Sequence, residues 1–157
     1  MKAFGLSLPV AGCCGLVFAC TAMNTMAGDA LQHQAKAASD RINVILSEWH
    51  IQADKQSVNA GRVVFNVMNR GEEEHEMVIV KTDLAAHDLP VRQGKVIESM
   101  AGDVIGEVEE FAAGGMRRAA FELQPGTYVL FCNLSEQEEG ELESHYREGM
   151  RAVLNVQ

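Results

Sequence analysis

Short apolar runs with a period of two recur along most of the chain, and they limit the fold more than any other feature of the sequence. One run begins at Ile42 and reads INVIL, and a second, VVFNV, follows a turn that ends at Gly61. A third begins at His75 and reads HEMVIV. Apolar and polar residues that alternate over such lengths indicate β-strands with one buried face.

The C-terminal part continues the same pattern. The segment MRRAAFELQPGTYVLFC, from Met116 to Cys132, predicts two strands joined by a Pro-Gly turn, and MRAVLNVQ predicts a final strand. Residues 84–110 are interrupted by glycines and Pro90, and only GEVEEF there indicates a short strand or turn. Several short strands with turn signals and little helical periodicity predict an all-β sandwich.

The N-terminal residues differ in composition from the rest of the chain. Lys2 is the only charged residue before Asp29, and the stretch between them is apolar with small residues near its end. This pattern predicts a secretory leader over residues 1–27, with export to the periplasm. Cleavage at Cys20 is the alternative and would leave a lipid-anchored protein. Residues 28–41 are interpreted as a linker or short helix, and 42–157 as one domain.

The charge balance limits the class of partner. The chain has 13 Lys and Arg against 22 Asp and Glu, a net charge of -9. Removal of the leader takes away one lysine and no acid, so 12 basic residues remain and the net charge becomes -10. Such a chain lacks the basic surface that neutralises phosphates, which argues against nucleic acid. It favours a partner with a basic face.

The cysteines are unevenly distributed. Three of the four lie in the predicted leader, which leaves Cys132 alone in the domain. It therefore has no partner for an internal disulfide. An unpaired thiol in an oxidising compartment is either buried as a small apolar residue or used by a metal or by chemistry.

Metal-capable residues stand at the ends of predicted strands. His75 opens one strand, Cys132 ends another, and His145 and Met150 precede the last. Zinc usually takes four strong ligands, whereas two imidazoles, a thiolate and a weak thioether suit copper that changes oxidation state. Three other histidines are not expected to contact the metal: His33 in the interpreted linker, His50 at a strand end and His87 in the irregular region.

Three segments resemble the cupredoxin family, the type 1 or blue copper proteins: VNAGRVVFNVMNRGEEEHEMVIV, LQPGTYVLFCN and HYREGMRAVLNV. The resemblance covers roughly residues 42–157 and implies a Greek-key β-sandwich with one type 1 copper ion. Carried over by position, His75, Cys132 and His145 would be the equatorial ligands and Met150 the axial one.

By the same resemblance, the protein would be a monomeric carrier of single electrons between redox proteins such as cytochromes or oxidoreductases, and no enzyme. The alternatives are a copper-binding or copper-delivery protein without electron transfer, and an enzyme subunit. The chain is too short for the several domains of copper enzymes and has no His-x-His pairs for additional copper ions.

The sequence departs from the family between Cys132 and His145, where twelve residues replace a usually short loop. This acidic insertion is expected to be either a solvated surface or a docking patch for a basic redox partner. Its glutamates are Glu136, Glu138, Glu139, Glu141 and Glu143. Two more acids, Glu74 and Glu76, flank His75; near the metal, their charge would favour Cu(II) and lower the reduction potential.

Overall fold

The structure is a computed structural model that describes residues 39–138 and 140–157, apart from the side chain of Glu138. The predicted leader, its cleavage sites and the predicted linker up to residue 38 lie outside the described residues. Within the described ranges, no helix has the length and apolar character needed to cross a membrane.

Strands make up most of the described chain, with two one-turn helices. In order, the elements are β1 (Asp40–Ser47), β2 (His50–Ala53), β3 (Ser57–Val58), β4 (Gly61–Asn69), β5 (His75–Lys81), β6 (Val91–Arg92), β7 (Lys95–Val96), α1 (Glu98–Ala101), β8 (Asp103–Phe111), β9 (Met116–Leu123), β10 (Gly126–Phe131), β11 (Ser135–Glu138), β12 (Glu141–Ser144), α2 (His145–Glu148) and β13 (Arg151–Val156).

Two mixed sheets form the framework. The first has the strand order β2-β1-β4-β9 and the second has the order β3-β13-β10-β5-β8. The β1–β4 and β3–β13 pairs are parallel, and the other pairs within these sheets are antiparallel. Two separate hairpins, β6–β7 and β11–β12, complete the strands. The predicted all-β sandwich is confirmed.

Residues from both sheets form the main core. In β1, Ile42, Val44 and Leu46 are at most 1% exposed while Asn43 between them is exposed, as the alternation predicts. Full burial of an aliphatic side chain contributes roughly 1.5–3 kcal/mol to folding. The facing residues from other strands include Phe65, Met77, Ile79, Leu130 and Leu154.

A second core cluster lies on the other face of β5 and β10. Val80 and Phe131 of these strands pack there with Leu89 and Val96, which come from residues 84–101. Because β5 is covered on both faces, its apolar run is nearly continuous rather than strictly alternating. Residues 84–101, for which the sequence pattern predicted no regular structure, therefore cover the second sheet.

Two element boundaries differ from those expected. β8 covers Asp103–Phe111 and pairs with β5 over most of its length, so it is longer than the short strand or turn indicated by GEVEEF. β1 begins at Asp40, two residues before the expected start of the domain. The Asp40 carboxylate accepts the backbone N–H of Asn59 at 2.8 Å, which ties this end of β1 to the turn before β4.

Candidate metal centre

Three of the predicted ligands come from separate elements that meet at one end of the sandwich. His75 is the first residue of β5, and Cys132 directly follows β10, the antiparallel neighbour of β5. His145 begins α2, after the β11–β12 hairpin. In an antiparallel pair, one strand begins at the edge of the sheet where its neighbour ends. The pairing of β5 with β10 therefore brings His75 and Cys132 close together.

The donor atoms of these residues face each other. Nδ1 of His75 lies 3.2 Å from Nδ1 of His145, and Sγ of Cys132 lies 3.4 Å from the same His145 nitrogen. All three donor atoms lie within 4.8 Å of one another, and each residue is 0% exposed. Nitrogen ligands of one ion, each about 2.0–2.1 Å from it, are roughly 3.3–3.6 Å apart. The spacing therefore fits three ligands of a single metal ion.

Met150, the fourth predicted ligand, is also 0% exposed and belongs to the same apolar cluster as Cys132. Its carbonyl accepts the N–H of Cys132 at 3.1 Å, and its own N–H donates to the carbonyl of His145 at 2.9 Å. These bonds hold the Met150 main chain directly beside two of the three converging residues. Coordination by its thioether stays a prediction.

Burial controls the protonation of the donor atoms in the metal-free protein. Burial raises the pKa of the Cys132 thiol to about 11, so the thiol is protonated at neutral pH. Burial also lowers the pKa of both His75 and His145, and proximity to His75 lowers that of His145 further. Neutral imidazoles are ready to bind a metal, whereas the thiol must release its proton when the metal enters.

The outer nitrogens of the two imidazoles face Glu48 and Glu73, two carboxylates that sequence analysis did not single out. Nε2 of His75 lies 3.2 Å from Oε1 of Glu48. Nε2 of His145 lies 3.6 Å from Oε2 of Glu73, and the carboxylate of Glu143 belongs to the same group of atoms within 4.8 Å. Glu48 and Glu73 are in turns far from each other in sequence, so no local motif pointed to them.

Glu48 is fixed by the loop between β4 and β5. Its Oε1 accepts the backbone N–H groups of Glu72 at 2.7 Å and Glu73 at 3.0 Å. Burial acts to raise the pKa of Glu48, but these N–H donors and the nearby His75 outweigh it and lower the pKa to about 2. A Cβ at Gly71 would collide with the Glu48 carboxylate, so the absence of a side chain there makes room for it.

The two acids that flank His75 have different positions. Glu74 is exposed. Glu76 is half-buried and accepts the backbone N–H of Asn133, next to Cys132, at 3.1 Å. Burial raises the pKa of Glu76, and the hydrogen bond from the Asn133 N–H acts in the opposite direction.

Residues 84–101 support the chain around Cys132 and His145. Asn133 accepts the N–H of Val96 at 2.6 Å and donates to the Val96 carbonyl at 3.2 Å. The Tyr146 hydroxyl donates to the Ala86 carbonyl at 2.7 Å. The ligand-bearing segments are thus hydrogen-bonded to a part of the chain whose role the sequence pattern did not reveal.

Trp49 stands beside the site in the turn between β1 and β2. Its ring is half-buried and meets the ring of His145 edge-on, with 5.3 Å between centroids. Its carbonyl is so close to Gly149 that a Cβ there would lie 3.0 Å away. A tryptophan at a strand end gave no metal-related signal in the sequence.

The acidic insertion folds as the β11–β12 hairpin. Glu136 and Glu141 are exposed, whereas Glu143 is half-buried near His145. Glu139 and the side chain of Glu138 are outside the described part of the structure.

The hairpin is tied to the β6–β7 hairpin, since the Ser144 hydroxyl donates to the Gly94 carbonyl. Of the remaining histidines, His50 and His87 are exposed, and His33 lies outside the described residues.

The sequence matches no protein-family model, and no curated protein is similar enough in sequence to match. Solved structures do match the fold. Reduced auracyanin from Roseiflexus castenholzii has a TM-score of 0.54 at 23% identity, covering 76% of this chain and 98% of that protein. Azurin from Methylomonas sp. strain J has a TM-score of 0.50 at 17% identity, with 76% and 99% covered.

Rusticyanin from Thiobacillus ferrooxidans has a TM-score of 0.53 at 12% identity, with 76% of this chain and 79% of that protein covered. These three proteins are cupredoxins. The chain thus has the cupredoxin fold.

Proposed function

We propose that this chain is an exported type 1 copper protein that carries single electrons between redox proteins. One observation carries the proposal: two imidazole nitrogens and one cysteine sulfur, all buried, converge within 4.8 Å. Two histidines and a cysteine in a trigonal arrangement, with a weak axial ligand, are the donor set of blue copper electron-transfer sites. The likeness of the fold to auracyanin, azurin and rusticyanin supports the same assignment.

In the proposed site, Nδ1 of His75, Nδ1 of His145 and Sγ of Cys132 would hold the copper ion, together with the thioether of Met150. The copper would supply a reversible one-electron change between Cu(I) and Cu(II). The protein's contribution would be a frame that moves little when the charge changes. In support, β5 and β10 are hydrogen-bonded neighbours, and main-chain hydrogen bonds join Met150 to Cys132 and His145.

The ligands are shielded from water, because each of the three converging residues is fully buried. Half-buried Trp49, edge-on to His145, provides an aromatic contact between the buried imidazole and the surface. We propose that electrons enter and leave on this side of the molecule. The acidic insertion would then attract a partner with a basic face, through Glu136, Glu138, Glu139, Glu141 and Glu143.

Electron exchange with a basic cytochrome c tests the function directly. The copper-loaded protein, reduced beforehand, is mixed rapidly with oxidised cytochrome, and the absorption of both is followed. The proposal predicts equimolar electron transfer that can be repeated after re-reduction. Delivery of the metal to an acceptor protein, without any redox exchange, would instead identify a copper-delivery protein.

A further inference from the structure

Each imidazole of the candidate site has a carboxylate at its outer nitrogen. The Glu48 carboxylate lies 3.2 Å from Nε2 of His75, and the Glu73 carboxylate lies 3.6 Å from Nε2 of His145. The second distance is slightly longer than a hydrogen bond. Nε2 of His145 is buried and has no hydrogen-bond partner among the described residues. A shift of a few tenths of an ångström would give it one.

One residue links the two carboxylate–imidazole pairs. Glu48 accepts the backbone N–H of Glu73 at 3.0 Å, in addition to its contact with His75. It therefore holds the loop that presents the Glu73 carboxylate to His145. The hairpin adds the carboxylate of Glu143, which has an oxygen within 4.8 Å of a Glu73 carboxylate oxygen and of a His145 ring nitrogen.

We propose that Glu48 and Glu73 are positioning residues that fix the two imidazole ligands and lower the reduction potential of the copper site. The inference rests on the proposed function, because it concerns copper bound by His75 and His145. When Nδ1 binds the metal, Nε2 carries the proton and can donate it to the carboxylate. That bond fixes the orientation of the ring and raises its basicity as a ligand.

The direction of the effect follows from charge. Cu(II) carries one more positive charge than Cu(I), so nearby carboxylates and more basic imidazoles stabilise Cu(II) more. Both pairs include a fully buried imidazole, and charge interactions are stronger where water is excluded. A tenfold change in the ratio of Cu(II) to Cu(I) affinity corresponds to about 59 mV for a one-electron couple.

The test compares reduction potentials of copper-loaded Glu48→Gln and Glu73→Gln with that of the unmodified protein. A glutamine keeps the size of the side chain and an oxygen that can accept N–H groups, but it removes the negative charge. We expect each variant to have a higher potential, by an amount equivalent to at least a tenfold change in that affinity ratio. The double variant Glu73→Gln/Glu143→Gln is measured as well, because the neighbouring Glu143 carboxylate can replace that of Glu73 beside His145 in the single variant.

Glu74→Gln is the matched control, because Glu74 is adjacent to Glu73 and His75 in sequence but exposed. It removes the same charge from the same loop without removing a carboxylate that faces an imidazole. Potentials of the Glu48 and Glu73 variants that move no further than that of the Glu74 variant would overturn the inference. Failure of the unmodified protein to bind copper would instead refute the proposed function.

A second test of the positioning role does not depend on the reduction potential. In the diamagnetic Cu(I) protein, nitrogen-15 NMR should show a slowly exchanging, downfield Nε2 proton on His75 that is shifted in Glu48→Gln. Gly71→Ala should produce a similar change, since its Cβ would displace the Glu48 carboxylate. An Nε2 signal of His75 that is the same in all three proteins would contradict a positioning role for Glu48.

Discussion

Cys132 and Met150 supply the two sulfur atoms of the proposed ligand set, and they contribute differently. The Cys132 thiol is protonated in the metal-free protein and would become a strong thiolate ligand only when the metal replaces its proton. The Met150 thioether is neutral in every state and would bind weakly. Loss of the Cys132 sulfur should therefore abolish the type 1 copper site, whereas loss of the Met150 sulfur should change only its reduction potential.

Met150→Leu should retain copper and raise the reduction potential. A leucine fills a similar volume but cannot coordinate, and a site with fewer ligands suits Cu(I) better than Cu(II). The potential is measured by redox titration of the copper-loaded protein. Met77→Leu is the matched control, because Met77 is also fully buried in the same core cluster. Equal shifts in the two variants would show that Met150 only fills space.

At the scale of elements, the turn between β1 and β2 brings two residues to the site. Glu48 contacts His75, and Trp49 meets the ring of His145. Trp49 is the only tryptophan in the chain, so its fluorescence reports on this position alone.

Copper binding should quench the emission of Trp49. Cu(II) quenches nearby indoles efficiently, and the His145 ring centroid is only 5.3 Å from that of Trp49. We expect most of the emission to disappear on addition of one equivalent of Cu(II), measured by fluorescence titration. Zn(II), which is redox-inactive, is the control and should quench much less. A titration with no break at one equivalent would argue against a single ion beside Trp49.

At the scale of the whole molecule, the chain is strongly acidic, and the hairpin concentrates part of that charge near the site. If the hairpin is a docking surface, the rate of electron transfer should depend on where the negative charges lie more than on the net charge of the protein. Two sets of three acidic residues allow a comparison. One set, Glu138, Glu139 and Glu141, lies in the acidic insertion. The other set is exposed at the strand ends away from His75 and consists of Asp83, Asp103 and Glu122.

Replacement of the hairpin set by glutamine should slow electron transfer to a basic cytochrome c by roughly tenfold at low ionic strength. Replacement of Asp83, Asp103 and Glu122 by the corresponding amides changes the net charge equally and should have a much smaller effect. Rates are measured by stopped-flow absorption over a range of salt concentrations. Because salt screens charge, the difference should shrink as the concentration rises. Equal rates for both variants would leave the hairpin without a docking role.

Several parts of the fold could be predicted because their residues obey a local rule. The alternation of Ile42, Val44 and Leu46 predicted β1, and the buried face of that strand confirms it. His75 was expected at the start of a strand and is the first residue of β5. Residues 84–101 were not predicted, because their apolar side chains bury against the outer face of a sheet rather than alternate along a strand.

Only the residues whose donor atoms converge in the candidate site could be predicted from the sequence. His75, Cys132 and His145 are residue types with metal chemistry, and the structure brings them together. Glu48, Glu73 and Trp49 belong to common residue types in turns, and only the packing of distant loops places them against the imidazoles. The Met150 thioether and the docking glutamates stay predictions.

The visible absorption spectrum of the purified protein loaded with one equivalent of Cu(II) tests the central proposal most directly. A thiolate bound to Cu(II) between two imidazoles predicts an intense blue absorption band, together with the narrow copper hyperfine splitting of a type 1 site in paramagnetic resonance. Cys132→Ser should lose the band, while Met77→Leu should keep it. A protein with reduced Cys132 that binds Cu(II) but stays without the band would contradict the proposed site.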